Sequence, residues 1–252
     1  MTENGAAAVK KNKGKGRKRK RLVLFLVLAL FLWGCFYFGS YYHADDTALA
    51  ALESDDTVQV TEIPEGGWLF DGPTKDTAII FYPGAKVETS AYAPLMHRIA
   101  EERADVFLLD MPLHMAFFGI NKADRIRSAY GTYSSWFMAG HSLGAAMAAQ
   151  YVSEHLDAYD GLIMLAGYPT KDLHADGFSL LNIYGSNDGH TGMLAKNPQY
   201  RPQDTTEVVI DGGNHAQFGN YGIQKGDGIA DISAARQQEE TAEAVAAFLS
   251  LH

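Results

Sequence analysis

The chain has 252 residues, 47% of them hydrophobic and one of them cysteine, with a formal net charge of −9. That is enough apolar material for one well-buried domain, and a lone Cys35 excludes an internal disulfide. Charge is segregated: nine of the 21 Lys and Arg residues, but only Glu3 of the 30 acids, fall within residues 1–21, so the remainder is strongly acidic and unsuited to binding nucleic acid.

Residues 1–21 read as a basic tail. Leu22 to Phe38 carries no charge, and the uncharged run extends to Tyr42. At about 1.5 Å per residue a helix over 22–42 spans roughly 30 Å, the hydrocarbon thickness of a bilayer. Trp33, Tyr37, Tyr41 and Tyr42 gather at its far end as an interfacial belt, and the basic run sits at the near end. The positive-inside rule then predicts a single-pass plasma-membrane anchor, N-terminus cytoplasmic, with the rest of the chain outside. The basic residues orient the span and meet anionic lipid. A cleaved signal is the competing reading, but Tyr42-His43-Ala44 makes a poor cleavage site. Leu32-Trp33-Gly34-Cys35 makes a poor lipoprotein box, because Trp33 is bulky and Phe36-Tyr37-Phe38 is apolar. Residues 43–56, with Asp45, Asp46, Glu53, Asp55 and Asp56, read as an acidic stalk ahead of a folded domain at 57–252.

In that domain Val58–Thr61 alternates as a strand does, and Trp68-Leu69-Phe70 pairs with it across Pro64-Glu65-Gly66-Gly67. Ala78–Tyr82 is continuously apolar, as a strand buried on both faces should be. A helix follows, with Ser90 as cap, Pro94 in its first turns, and Tyr92, Leu95, Met96 and Ile99 on one face. Val106–Leu109 is the next buried strand. Asp110–Asn121 is an apolar-rich loop whose Phe117 and Phe118 are candidates for a pocket wall, with burial in the core as the competing reading. Ala123–Tyr130 is helical. Strands at 135–139, 161–166, 180–184 and 207–210 and a last helix over 233–250 complete an alternation that implies a parallel sheet covered on both faces.

The organising stretch is Gly140-His141-Ser142-Leu143-Gly144, between the apolar run Ser135–Ala139 and the small residues Ala145–Ala149. A serine on so sharp a strand-to-helix turn is strained, and glycine on both sides removes colliding Cβ atoms. This G-x-S-x-G pattern in its strand–turn–helix setting resembles the α/β-hydrolase family. The likeness covers about residues 57–252. Phe81-Tyr82-Pro83-Gly84-Ala85, Tyr184-Gly185-Ser186-Asn187-Asp188-Gly189 and Gly213-Asn214-His215-Ala216-Gln217-Phe218-Gly219 are similar to runs in small, dienelactone-hydrolase-like bacterial members, which often carry one N-terminal span. Dienelactone hydrolases proper use cysteine where this chain has Ser142.

The resemblance implies an α/β-hydrolase fold and a serine hydrolase acting on a carboxylic ester or related acyl bond. The family's order is Ser, then acid, then His. It points to Ser142 as nucleophile, Asp188 on the turn after the 180–184 strand as orienting acid, and His215 on the loop after the last strand as base. His190 is the backup base, and Asp211 and Asp110 are weaker acids. Backbone N–H groups of Leu143 and Ala85 are the expected oxyanion donors, although Pro83 stands where relatives carry histidine. Gly84 allows close approach, and His141 packs or bonds beside the elbow at the pocket. Only about thirteen residues separate the 161–166 and 180–184 strands, which leaves no room for a large lid and predicts an open site. No cofactor is expected, and His190, Asp188, Asp227 and Asp231 lack a convincing metal-ligand spacing. The partner is a small acyl substrate. The reading from another class is a catalytically silent binding module on the same fold.

Overall fold

The computed structural model describes residues 4–190, 192 and 196–252, in two units that divide after Ser40. The first unit is helix α1 (Asn4–Gly39). Its Lys18–Gly39 stretch of 22 residues is long and apolar enough to cross a membrane. Leu22 through Phe36 present large exposed apolar side chains there, an arrangement suited to lipid rather than water. Residues 1–3 of the expected basic tail, and its side chains as far as Arg17, lie outside the described residues.

The helix ends three residues before the boundary expected at Tyr42. Tyr42 instead bridges Val87 in parallel, its N–H donating to Lys86 O at 2.7 Å and its carbonyl accepting from Glu88 N–H at 2.9 Å. Tyr41 stacks on His114. The expected stalk is also folded onto the domain. A short helix α2 (Asp46–Ala50), capped by Asp45 on Ala48 N–H, buries Ala48 completely, and Asp45 N–H donates to Asn220 O at 2.9 Å. The acidic composition suggested solvation; the small apolar side chains between the acids decide otherwise.

Among the described residues of the second unit, eight strands form one sheet in the order β1-β2-β4-β3-β5-β6-β7-β8. They are β1 (Gln59–Glu62), β2 (Gly67–Asp71), β3 (Thr77–Tyr82), β4 (Asp105–Leu109), β5 (Ser135–His141), β6 (Gly161–Leu165), β7 (Ser179–Gly185) and β8 (Asp204–Ile210). β2 pairs antiparallel with β1, as expected, and with β4; all pairs from β4 to β8 are parallel.

Side-chain alternation splits the core in two. Ile79 and Phe81 face one layer with Leu95, Met96 and Ile99 of α3 (Ala93–Glu102). Ala78, Ile80 and Tyr82 face the other with Ala123 and Ile126 of α4 (Lys122–Ala129) and Ala145, Ala148 and Ala149 of α5 (Leu143–Val152). Helix α6 (Ala234–Leu249), capped by Ser233, joins the first layer through Ala242, Val245 and Phe248. The chain leaves β3 toward β4 on one side and returns to β5 on the other. A crevice therefore opens at the carboxyl ends of β3 and β5, where open α/β sheets bind ligands.

Candidate active site

Ser142 stands at the end of β5 with φ 53° and ψ −118°, a region costly for any L-residue with a side chain. Two bonds hold it there: Ser142 N–H donates to Leu165 O at 2.9 Å, and its carbonyl accepts from Ala146 N–H at 3.1 Å. Tight packing forces the turn. A Cβ on Gly144 would lie 2.0 Å from Tyr82 O and 2.4 Å from Pro83 O, so α5 begins in backbone contact with the end of β3. One on Gly140 would lie 2.6 Å from the Gly144 carbonyl carbon. The strain is therefore over-determined by the strands around it.

Ser142 and Leu143 line a cavity of about 270 Å³ with Ala146 of α5, Ala166, Gly167 and Tyr168 after β6, and His190, His215 and Gln224. No helix covers it between β6 and β7. His215 follows β8, lines the cavity and is 3% exposed. Its Nδ1 lies 2.8 Å from Oδ2 of Asp188, which is buried on the turn after β7. The other Asp188 oxygen accepts from His190 N–H at 2.6 Å. Burial by itself would raise the Asp188 carboxyl. The hydrogen bond and charge of His215, with the His190 N–H and ring, outweigh it and hold the group below its ordinary value. An anionic Asp188 thus faces Nδ1, which fixes the proton on Nδ1 and leaves Nε2 as acceptor.

The loop after β3, where the second oxyanion donor was expected at Ala85, is held by Tyr92. Gly84 N–H is occupied, donating to Tyr92 Oη at 3.0 Å. The same Oη lies 2.8 Å from His141 Nδ1. With the phenol oxygen accepting from Gly84, its O–H donates to Nδ1, which leaves His141 Nε2 buried without a hydrogen-bond partner among the described residues. Burial, reinforced by the nearby charge of His215, pushes the His141 imidazole well below its ordinary value, so it stays neutral. His141 and Gly84 were expected at the pocket; both are buried, at 1% exposure for His141, and neither lines the cavity. Among the described residues Ala85 and Leu143 N–H have no protein acceptor. Leu143 lines the cavity and Ala85 does not.

Phe117 and Phe118 do not line the cavity beside Ser142. They are 43% and 49% exposed and pack against each other, rings 4.2 Å apart. The buried apolar side chains of that loop are Met111, Met115 and Ala116, which go into the core. Tyr168 and Gln224 were missed because neither carries a motif; only the convergence of loops reveals them. The spacing judged unconvincing for a metal is also closer than the sequence suggests. Asp188, His190 and His215 bring one donor atom each within 4.8 Å of one another, though Asp188 and His215 already bond each other. A second group, Asp55 with His97 and Glu101 of α3, has similar spacing, its two acids exposed.

Comparison with known proteins agrees with this architecture. The alpha/beta hydrolase family matches residues 78–239, and the chain belongs to that family. No curated protein sequence matches it significantly. Carboxyl esterase 2 of the mycorrhizal fungus Tuber melanosporum superposes with a TM-score of 0.56 at 11% identity, covering 82% of this chain and 89% of that one. The carboxylesterase CesB of Bacillus subtilis gives 0.53 at 10% identity, covering 82% and 96%. A membrane phospholipase A described as a bacterial virulence factor gives 0.54 at 15% identity, covering 92% and 98%. At such identities the likeness is one of fold. Family membership supports hydrolase activity on a small-molecule substrate.

Proposed function

We propose that this chain is a membrane-anchored serine hydrolase that cleaves a carboxylic ester, or a related acyl bond, through an acyl-enzyme. One observation carries the reading. Ser142, raised on a positive-φ turn, shares a cavity with His215, whose Nδ1 is bonded at 2.8 Å to buried Asp188. A serine hydroxyl is barely ionised at neutral pH and needs a base beside it. His215 Nε2 takes the Ser142 proton as Oγ adds to the acyl carbon. Asp188 holds the tautomer and stabilises the imidazolium. Leu143 and Ala85 N–H receive the developing oxyanion, with the Tyr92 bond to Gly84 holding the turn that bears Ala85. The imidazolium then protonates the leaving alkoxide. Water, deprotonated by the same imidazole, releases the acid.

The apolar lining from Leu143, Ala146 and Ala166 and the volume of about 270 Å³ favour a short acyl group over a long chain. Esterase and phospholipase names among the structural neighbours agree with an oxygen ester. The Lys18–Gly39 helix is long and apolar enough to anchor the chain, the Tyr42-His43-Ala44 stretch is a poor cleavage site, and the basic residues before the helix support a cytoplasmic N-terminus with the domain outside.

A fluorophosphonate probe applied to the full chain in detergent, followed by p-nitrophenyl esters of graded length, tests this. The probe should label the parent protein at Ser142. Ser142→Ala should abolish labelling and lower turnover by about a million-fold. Unchanged ester turnover in that variant would defeat the assignment. Protease protection of oriented membrane vesicles tests the topology.

A further inference from the structure

We propose that Asp227 is a positioning residue that clamps the loops bearing the acid and the base. This rests on the reading of Asp188 and His215 as catalytic partners, but its geometry stands without it. The Asp227 carboxylate accepts four backbone N–H groups from three segments. Oδ1 accepts from Gly189 at 3.1 Å, His215 at 3.2 Å and Gly228 at 2.7 Å. Oδ2 accepts from Ala216 at 2.8 Å. One side chain thus ties the turn after β7, which holds Asp188, to the turn after β8, which holds His215.

The chain around Asp227 is built for close approach. A Cβ on Gly189 would meet Gly226 O at 2.4 Å, and one on Gly228 would meet Asn187 O at 1.8 Å. Side chains from the two loops reach the same strand of backbone: Asn214 Nδ2 donates to Gly228 O at 2.9 Å, and Asn187 Nδ2 to Ile229 O at 3.0 Å. Segment 226–229 is therefore a strap across both loops, with the carboxylate at its centre.

Only a carboxylate suits this place. It is acceptor-only and presents two accepting oxygens, Oδ1 to three of the donors and Oδ2 to the fourth. An amide keeps one accepting oxygen and turns an NH₂ toward an N–H that had a partner. Loops after strands are otherwise the mobile parts of such a domain. A base displaced by about 1 Å from its partners loses on the order of a hundredfold in rate.

Asp227→Asn in the full chain, in detergent micelles and well below its melting temperature, is the test. kcat should fall about 10- to 100-fold with KM within about twofold, and the fluorophosphonate labelling rate should fall by the same factor. The far-downfield proton resonance of His215 Nδ1–H should shift or broaden, a signature that a merely structural loss would leave in place. Asp231→Asn is the control on the same loop, since among the described residues the Asp231 carboxylate accepts only from the Asn187 amide; it should retain kcat within about threefold. An Asp227→Asn protein with parental kcat and an unmoved resonance overturns the proposal, as does an equal loss in Asp231→Asn. If Asp227→Asn does not fold, hydrogen exchange of the parent decides: the amides of Gly189, His215 and Ala216 should be protected although they lie in loops, and exchange at unprotected rates refutes the clamp. A parent that is neither labelled nor active on any ester defeats the catalytic reading instead, while exchange and the resonance still judge Asp227.

Discussion

Gly144→Ala sets helix propensity against tertiary packing. By propensity alone, alanine in a helix is favoured over glycine by about 1 kcal/mol. The structure reverses the sign. The new Cβ would sit 2.0 Å from Tyr82 O and 2.4 Å from Pro83 O, both backbone atoms that cannot swing aside. Ordinary carbon–oxygen contacts are about 3.3 Å or longer, so α5 and the end of β3 must part by more than about 1 Å. Overpacking of this kind costs about 1–3 kcal/mol. The parting also separates Leu143 N–H, at the start of α5, from the Gly84-Ala85 turn after β3. If those two turns serve one oxyanion, kcat falls about 100- to 1,000-fold. Urea unfolding of parent and variant gives the stability change, and steady-state ester hydrolysis gives the rate. A variant at least as stable as the parent, with activity within about twofold, would refute the packing argument.

Asp188→Asn should lower kcat about ten-thousandfold with the fold intact, because an amide presents the wrong partner to His215 Nδ1–H; steady-state kinetics beside a melting curve would check it. Tyr92→Phe leaves Gly84 N–H and His141 Nδ1 buried without their partner. It should cost about 1–3 kcal/mol in urea unfolding and also slow turnover, and a stability loss without a rate loss would argue against the role of the Gly84-Ala85 turn. His141 has a lowered folded-state pKa, so the unfolded chain takes up its proton first as pH falls below about 6.5. Stability should therefore decline with acid, at up to about 1.4 kcal/mol per pH unit from this group. His141→Asn should flatten the slope by that amount between pH 6.5 and the folded-state value, as read by urea unfolding at several pH values. Asp188 acts in a lower window: its stabilisation is present above the ordinary carboxylate pKa and is lost as pH falls through its depressed folded value.

The strands, the elbow and the long apolar helix were legible because each leaves a local trace. Ala78–Tyr82 is apolar at every position because both of its faces are covered, and Gly140 and Gly144 flank Ser142 because Cβ atoms there would strike backbone. Residues whose roles depend on distant partners left no such trace. Phe117 and Phe118 look like Met111 and Met115 in the sequence, yet the first pair is exposed and the second buried. Residues 43–56 read as solvated by their charge, but Ala48 finds a buried seat on the domain. That Gly84 N–H is already occupied left no local trace either, because its acceptor, Tyr92 Oη, lies eight residues away.

The sequence by itself determined the alternation of strands and helices, the strained serine turn and an apolar helix able to cross a membrane, because periodicity and steric crowding act over a few neighbouring residues. Tertiary structure alone decided which loops meet. Asp188, His215 and Asp227 lie on turns after β7, after β8 and before α6, and the order of strands in the sheet brings those turns to one edge. A carboxylate with four amide donors is a property of that convergence, and no local pattern of residues encodes it.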